Sequence, residues 1–437
     1  MKLTAAPVLL ALAWLRPSQA APTPDLPLGL DMLAGSMSPP AQASKVTLPF
    51  ARRVGYASSN NIVQFDQARA QFLRDRAQGK YVGVSSATEA ASAVNVDATS
   101  RIVSYTANVQ IGDPPTNYSL LIDTGSSNTW AGANMSNPYV FSETTVVTPN
   151  TVFVSYGSGF FGGVEVMDQI SLGPELTITM QGLGAALVSS GFDGVDGIMG
   201  IGPQDLTCGT QLPGLNECVP TVVDNAWKQG LLEAYEIGIS FTPSTTQAEM
   251  NGELTFGGID ERKYKGTLNY VNITSTSPAS HYVGIEQTVT YGGTEILSPT
   301  AGIIDTGTTL LLLATNAFDA YQNMTGATMD QTTGLLQIDE EQYEALESLY
   351  FSIGDTVYEF TPDAQLWPRS LNEYIGGDPD GIYLIVSDNG AVAGSGLDFI
   401  NGMGWLERFY TVYDVGNSRV GFATTSHTHS KSNFRTN

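Results

Sequence analysis

The 437-residue chain has little cysteine, little histidine and little positive charge. Two cysteines, Cys208 and Cys218, exclude a disulfide-dense scaffold and a cysteine-built zinc centre. Three histidines, His281, His427 and His429, leave scant material for an imidazole base. No G-x-S-x-G elbow occurs, which disfavours serine-hydrolase chemistry. His427-Thr428-His429 is a weak metal signal, so no metal and no cofactor is expected. Charged residues are 14% of the chain, against about 25% in an average soluble domain. Lys and Arg number 19 against 43 Asp and Glu, a net charge of −24, which excludes a general nucleic-acid partner. No apolar run is long enough to span a bilayer, and residues 426–437 are too polar for a lipid-anchor signal.

Glycine, by contrast, is abundant at 46, and Ser and Thr are frequent. That composition predicts an all-β protein with many tight turns and argues against helical bundles. The acid is unevenly spread. Residues 1–97 carry 9 basic and 6 acidic side chains, net +3, and residues 98–437 carry 10 and 37, net −27. Residues 1–20 read as a secretory signal: Lys2, a short apolar stretch over 3–15, and a small-residue cleavage site at Ser18-Gln19-Ala20. A secreted, extracellular protein follows from that. The same compartment favours a Cys208–Cys218 disulfide over two buried thiols, and suits four sequons at Asn117, Asn134, Asn272 and Asn323. Residues 21–95 mix Pro-rich and Ala/Ser-rich stretches with a basic portion holding Arg52, Arg53, Arg69, Arg74, Arg76 and Lys80. A basic segment tethered to an acidic domain should dock on it, so a propeptide is expected there. A disordered linker is the plainer alternative.

The strongest signal is an internal echo. Residues 119–127, SLLIDTGSS, are matched 182 residues later by residues 301–309, AGIIDTGTT. Each copy runs an apolar strand into Asp-Thr-Gly and two hydroxyl residues. Each is followed by an apolar-Gly element, residues 196–200 (DGIMG) and then residues 399–402 (FING). The shared order implies two similar lobes, 96–268 and 269–437. Strands are expected over 102–111, 152–156, 176–180, 253–256, 382–386 and 409–413, and helices over 220–230, 316–324 and 340–349. An Asp that ends a buried strand just before Gly sits where the backbone turns sharply and a second chain can come close. Ser126 and Thr308 are placed to donate hydrogen bonds to Asp123 and Asp305. If a pseudo-two-fold axis relates the lobes, the two carboxylates meet at it and share one proton.

These motifs resemble the pepsin-like aspartic proteases, most closely the secreted fungal polyporopepsin type. The resemblance spans about residues 98–425 and rests on residues 123–130 (DTGSSNTW), 305–310 (DTGTTL), 196–202 (DGIMGIG) and 399–423. It implies an all-β bilobal fold with a cleft between the lobes, a catalytic pair Asp123 and Asp305, and a zymogen. It further implies a flap tip at Tyr156, Gly157 and Ser158, with Trp130 hydrogen-bonded to Tyr156. Gly125, Gly307, Thr308 and Thr309 would meet an extended peptide, and Ile198 would line an apolar pocket. Lys80-Tyr81 resembles a prosegment pair that sets Lys80 against both aspartates, with Arg76 as the competing cation. The implied activity is acid cleavage of unfolded polypeptides between bulky apolar residues, by a monomer. Asn401 and Met403 depart from the family pattern, where an apolar residue and an Asp are common. An inactive pepsin-fold binding protein and a secreted glycosidase are the competing readings. The first usually loses an Asp or the flap tyrosine, and both are kept here. Nothing beyond the echo supports the second.

Overall fold

Runs of β-branched and aromatic residues between Gly, Pro and Asn clusters form strands throughout the chain. The structure is a computed structural model that describes residues 43–55, 62–79, 103–157 and 159–434. The signal-like residues 1–20, Lys80 and Ser158 lie outside the described residues. The first half supplies β1 (Val46–Val54), β2 (Val103–Ile111), β3 (Thr116–Asp123), β4 (Trp130–Ala131), β5 (Val146–Ser155), β6 (Phe160–Ser171), β7 (Thr177–Ser190) and β8 (Gly197–Gly200). They belong to a 14-stranded sheet. The C-terminal strands Phe409–Asp414 and Arg419–Thr424 return to that sheet, the former pairing with Glu236–Phe241. Among the described residues, the second half also builds a seven-stranded sheet and a three-stranded one.

The echo in sequence is an echo in register. β3 lies parallel to β8, pairing Ile122 with Met199 and Asp123 with Gly200. In the second half, Thr294–Ile304 lies parallel to Phe399–Asn401, pairing Ile303 with Ile400 and Ile304 with Asn401. The Asp-Thr-Gly strands are therefore central, and Leu120, Leu121, Ile122, Ile303 and Ile304 are all buried. That explains why they read as unbroken apolar runs and not as alternating ones.

Five of the six expected strands appear as single elements or as parts of longer ones. The sixth, 382–386, splits into Ile382–Leu384 and Val386–Asp388 in different sheets. Helices form at Val222–Lys228 and Thr315–Thr325. The third stops at Glu344, because Leu346 turns inward and Leu349 opens a strand. In the first of these Trp227 faces partly outward, stacked on Tyr235, while Val222, Val223 and Ala226 are buried.

Two elements in the basic leader were not anticipated. β1 inserts between β2 and Ala248–Phe256. Its inward residues are Val46, Leu48, Phe50, Arg52 and Val54. The arginine interrupts an otherwise regular apolar alternation and masks it. Helix α1 (Ile62–Ala77) carries no amphipathic pattern, because polar and apolar residues alike are buried around it. Its Asp66, Arg69 and Arg74 are as enclosed as Ala70 and Leu73. A helix wrapped on several sides has no polar face to advertise. The polar C-terminus also packs down: Arg408 donates to the His427 and Ser430 carbonyls, and Asp363 accepts from the backbone of Ser432, Asn433 and Phe434.

Candidate active site

The two Asp-Thr-Gly turns meet through a reciprocal set of hydrogen bonds. Thr124 N donates to Thr306 Oγ1 at 2.9 Å, and Thr306 N donates to Thr124 Oγ1 at 3.0 Å. Each threonine hydroxyl then reaches across to the carbonyl before the opposite Asp, Thr124 to Ile304 and Thr306 to Ile122. The threonines thus clamp the lobes directly beneath the aspartates. They stood in plain view inside both motifs, yet their spacing could not say that they bond each other.

Each aspartate is held the same way. Ser126 Oγ donates to Asp123 Oδ2 and Thr308 Oγ1 to Asp305 Oδ2, both at 2.6 Å. Gly125 N and Gly307 N donate to the other oxygens, each at 3.0 Å. The glycines leave room for the opposite lobe. A Cβ on Gly125 would sit 2.6 Å from Asp305 Oδ1, and one on Gly307 would sit 2.6 Å from Asp123 Oδ1. The second glycine of each repeat serves a related purpose. A Cβ on Gly200 would press on Ser127, and one on Gly402 would meet Thr308 O at 2.6 Å. Only glycine lets the parallel strand pass so close to the turn that follows each Asp.

Above the first Asp stands the β5–β6 hairpin. Tyr156 is buried against Trp130, whose Nε1 donates to the Tyr156 hydroxyl at 2.8 Å. Burial, with the Asp123 charge behind it, pushes the Tyr156 hydroxyl up, so it remains a neutral hydrogen-bonding group. Ile198 is fully buried in the same apolar cluster, beside Leu121, Phe161 and Phe192. Gly157 takes a left-handed turn at the tip (φ 79°), as its residue type allows.

A guanidinium lies between the carboxylates. Arg69 of α1 donates from Nη2 to Asp123 Oδ1 at 2.6 Å and from Nε to Asp305 Oδ2 at 2.6 Å. Nη2 also reaches Asp305 Oδ1 at 2.9 Å. Burial alone would raise the Asp305 pKa, but Arg69, with Thr308 and Gly307, holds it below the usual carboxylate range. Burial likewise opposes the charge on Arg69, and the two carboxylates outweigh it. Lys80, the expected cation, lies outside the described residues, and Arg76 bonds the Leu206 carbonyl instead. Among the described residues the cation on both aspartates is Arg69. An arginine fits better than a lysine, because its fork can serve two carboxylates at once. Around it, α1 fills the cleft. Asp66 Oδ2 accepts from Thr309 N and Leu310 N, Tyr282 donates to the Leu73 carbonyl, and Gly157 rides over Ala68 and Phe72.

A turn-held pair of carboxylates from two like lobes, under a tyrosine-tipped hairpin, can activate water. The family model described as eukaryotic aspartyl protease matches residues 104–425. The chain belongs to that family. This aspartyl protease is an endopeptidase, a hydrolase of peptide bonds. It is 53% identical over 343 residues to polyporopepsin of Irpex lacteus, covering 78% of this chain and 100% of the relative. Cathepsin E of Aquarana catesbeiana is 28% identical, over 74% of this chain and 79% of the relative. The crystal structure of the aspartic proteinase from Irpex lacteus superposes with a TM-score of 0.76 at 46% identity, covering 89% of this chain and 100% of that one.

The departures within the protease are accommodated locally. Asn401 pairs with Gln287 through two amide hydrogen bonds of 3.2 and 2.9 Å, and its carbonyl accepts from Asp305 N. Met403 packs in the core. Cys208 and Cys218 form a disulfide, and Asn117, Asn134, Asn272 and Asn323 are all exposed.

Proposed function

We propose that the protein is a secreted acid endopeptidase made as a zymogen, with Asp123 and Asp305 as its catalytic dyad. The observation that carries this reading is Arg69, which comes from outside the family-matched residues and fills the space between the carboxylates. Residues 1–20 are then a signal, 21–95 a propeptide, and 96–268 and 269–437 the two lobes. Supporting this, the whole of polyporopepsin aligns within 78% of this chain. The disulfide and the exposed sequon asparagines suit a secretory route.

With the propeptide gone, two facing carboxylates share one proton. The ionised carboxylate takes a proton from a water held between them as its oxygen bonds to the substrate carbonyl carbon. The protonated partner gives its proton to the carbonyl oxygen. Collapse of the resulting gem-diol breaks the C–N bond, with the leaving nitrogen receiving a proton from the dyad. Ser126 and the Gly125 amide orient Asp123, and Thr308 and the Gly307 amide orient Asp305. Tyr156, Gly157 and Ser158 close over the peptide, Trp130 steadies Tyr156, and Thr309 offers its backbone amide to the peptide. Ile198 backs the flap. Preference for bulky apolar residues near the scissile bond is supported by Phe72 and Leu73, which the propeptide buries in the cleft. The partners are peptide substrates and, before activation, the propeptide, and the working unit is a monomer.

The test is Asp305→Asn. Acid-activated wild type should cleave an unfolded protein and bind a hydroxyl-bearing mimic of the tetrahedral intermediate. The variant should do neither while melting normally. Retained cleavage would refute the dyad.

A further inference from the structure

The helix in the cleft leaves an imprint of more than the dyad. Arg69 of α1 marks the reacting centre. Arg74, almost fully buried, occupies a second position on the C-terminal wall. Its Nη2 donates to the Asn389 carbonyl at 3.1 Å and lies beside Gly390, whose notional Cβ is 3.8 Å away. Gln67, two turns earlier on the helix, donates to the neighbouring Asp388 carbonyl at 3.0 Å. One face of α1 therefore runs along residues 388–390.

That wall belongs to the enzyme, not to the leader. Val386–Asp388 pairs in parallel with Leu311–Leu313, the strand that leaves the Asp305 turn. The wall is stiffly built. Asp388 Oδ1 accepts from Thr315 Oγ1 at 2.7 Å and from Gly390 N at 2.9 Å. Asn389 is buried, with its amide bonded to Leu397 O and its N–H bonded to Leu313 O. Burial lowers the proton affinity of Arg74, and the charges of Asp75, Asp388 and Asp398 work against that loss. Asp388 and Asp398 stay behind when α1 leaves. The Asn389 carbonyl then faces the vacated position, within the negative field of the two carboxylates.

From this juxtaposition of Asn389 O, Gly390 and Asp388, we propose that the mature enzyme has a subsite for a lysine or arginine side chain of its substrate. The inference rests on the zymogen reading above. Five residues of helix separate Arg69 from Arg74, a rise of about 7.5 Å. Extended peptide covers that distance in about two residues. The basic side chain thus sits about two residues from the scissile bond. Arg74 Nη1 has no hydrogen-bond partner among the described residues, so the second arm of the guanidinium adds no bond there. One carbonyl acceptor inside a negative field serves an ammonium as well as a guanidinium, so lysine and arginine should be accepted alike.

The experiment is a positional scan on the acid-activated enzyme, using peptides that share one scissile bond. Each position within three residues of that bond carries Lys, Arg, Gln or Glu in turn. At one position Lys and Arg should each raise kcat/KM about two- to fivefold over Gln, with Glu below Gln. Added salt should shrink the gain. Asp388→Asn should bring the Lys-to-Gln and Arg-to-Gln ratios, each measured within the variant, close to one. No basic preference at any position overturns the proposal, as does a preference that survives both salt and Asp388→Asn. Should the Asn variant fail to fold, the salt series on the wild-type enzyme decides. Cleavage of the Gln peptide with no gain for Lys or Arg defeats the subsite alone. A precursor that never becomes active defeats the zymogen reading instead.

Discussion

On the zymogen reading proposed above, replacing Arg69 with Gln in the full-length protein should unlock the cleft. The side chain makes three hydrogen bonds to two carboxylates, with all three residues essentially inaccessible to solvent. Removing one partner from such a buried cluster typically costs about 3–5 kcal/mol, because the remaining charge is stranded. Here the stranded pair can recover part of that by sharing a proton, so about 2–4 kcal/mol of docking energy should be lost. Each 1.4 kcal/mol is a factor of ten, so the open population should rise by roughly 30- to 700-fold. The assay is the rate at which a fluorescent hydroxyl-bearing peptide mimic binds the precursor, measured from pH 7 downward. The pH dependence has a definite sign. Arg69 holds Asp305 below its ordinary range, so its contribution to docking is complete above the pH at which the open, proton-sharing dyad picks up its proton. It is lost only as pH falls through the lower, folded value. Wild type should therefore open only in clearly acid solution, and Arg69→Gln should bind the mimic well above that range. Arg69→Lys should fall between the two, keeping the charge without the fork. Latency of Arg69→Gln within twofold of wild type, at every pH, would refute the reasoning.

Three further outcomes follow from the geometry. Asn401→Leu or Gln287→Leu should each cost about 1–3 kcal/mol in a denaturant titration by leaving one buried amide unpaired, and the double variant should recover much of the loss. Gly402→Ala should lower expression and melting temperature sharply and also reduce kcat, since its Cβ would press on the Thr308 carbonyl beside Asp305. Burial works against the charge on Asp168, but hydrogen bonds from Thr144, Thr145, Tyr139 and the Gln169 amide hold its pKa down. Its contribution to stability is then intact above about pH 4 and fades only below it, so the Asp168→Asn variant should lose this fall in melting temperature between pH 4 and 2.

Much of the candidate active centre was legible in the chain. Asp123 and Asp305, their Ser126 and Thr308 partners and the glycines that follow are local requirements of one turn used twice. A turn that needs close approach and a nearby hydroxyl leaves those residue types at fixed offsets wherever it occurs. The Trp130–Tyr156 bond was likewise expected, though from family resemblance and not from spacing.

What lies against the two carboxylates was not legible. α1 shows no stripe, because it is enclosed on several sides, and β1 hides its alternation behind Arg52. Basic residues in the leader pointed to docking on the acidic enzyme, but charge attracts at long range without choosing a partner. Lys80, Arg76 and Arg69 were equivalent by that measure. Only the packing of α1 against residues 388–390, the flap and Tyr282 brings one guanidinium into register with both carboxylates. The sequence by itself determined the two turns, because their chemistry is contained within a few bonded neighbours. The tertiary structure alone decided which cation stands between them and where a second one rests, because those contacts join residues far apart in the chain.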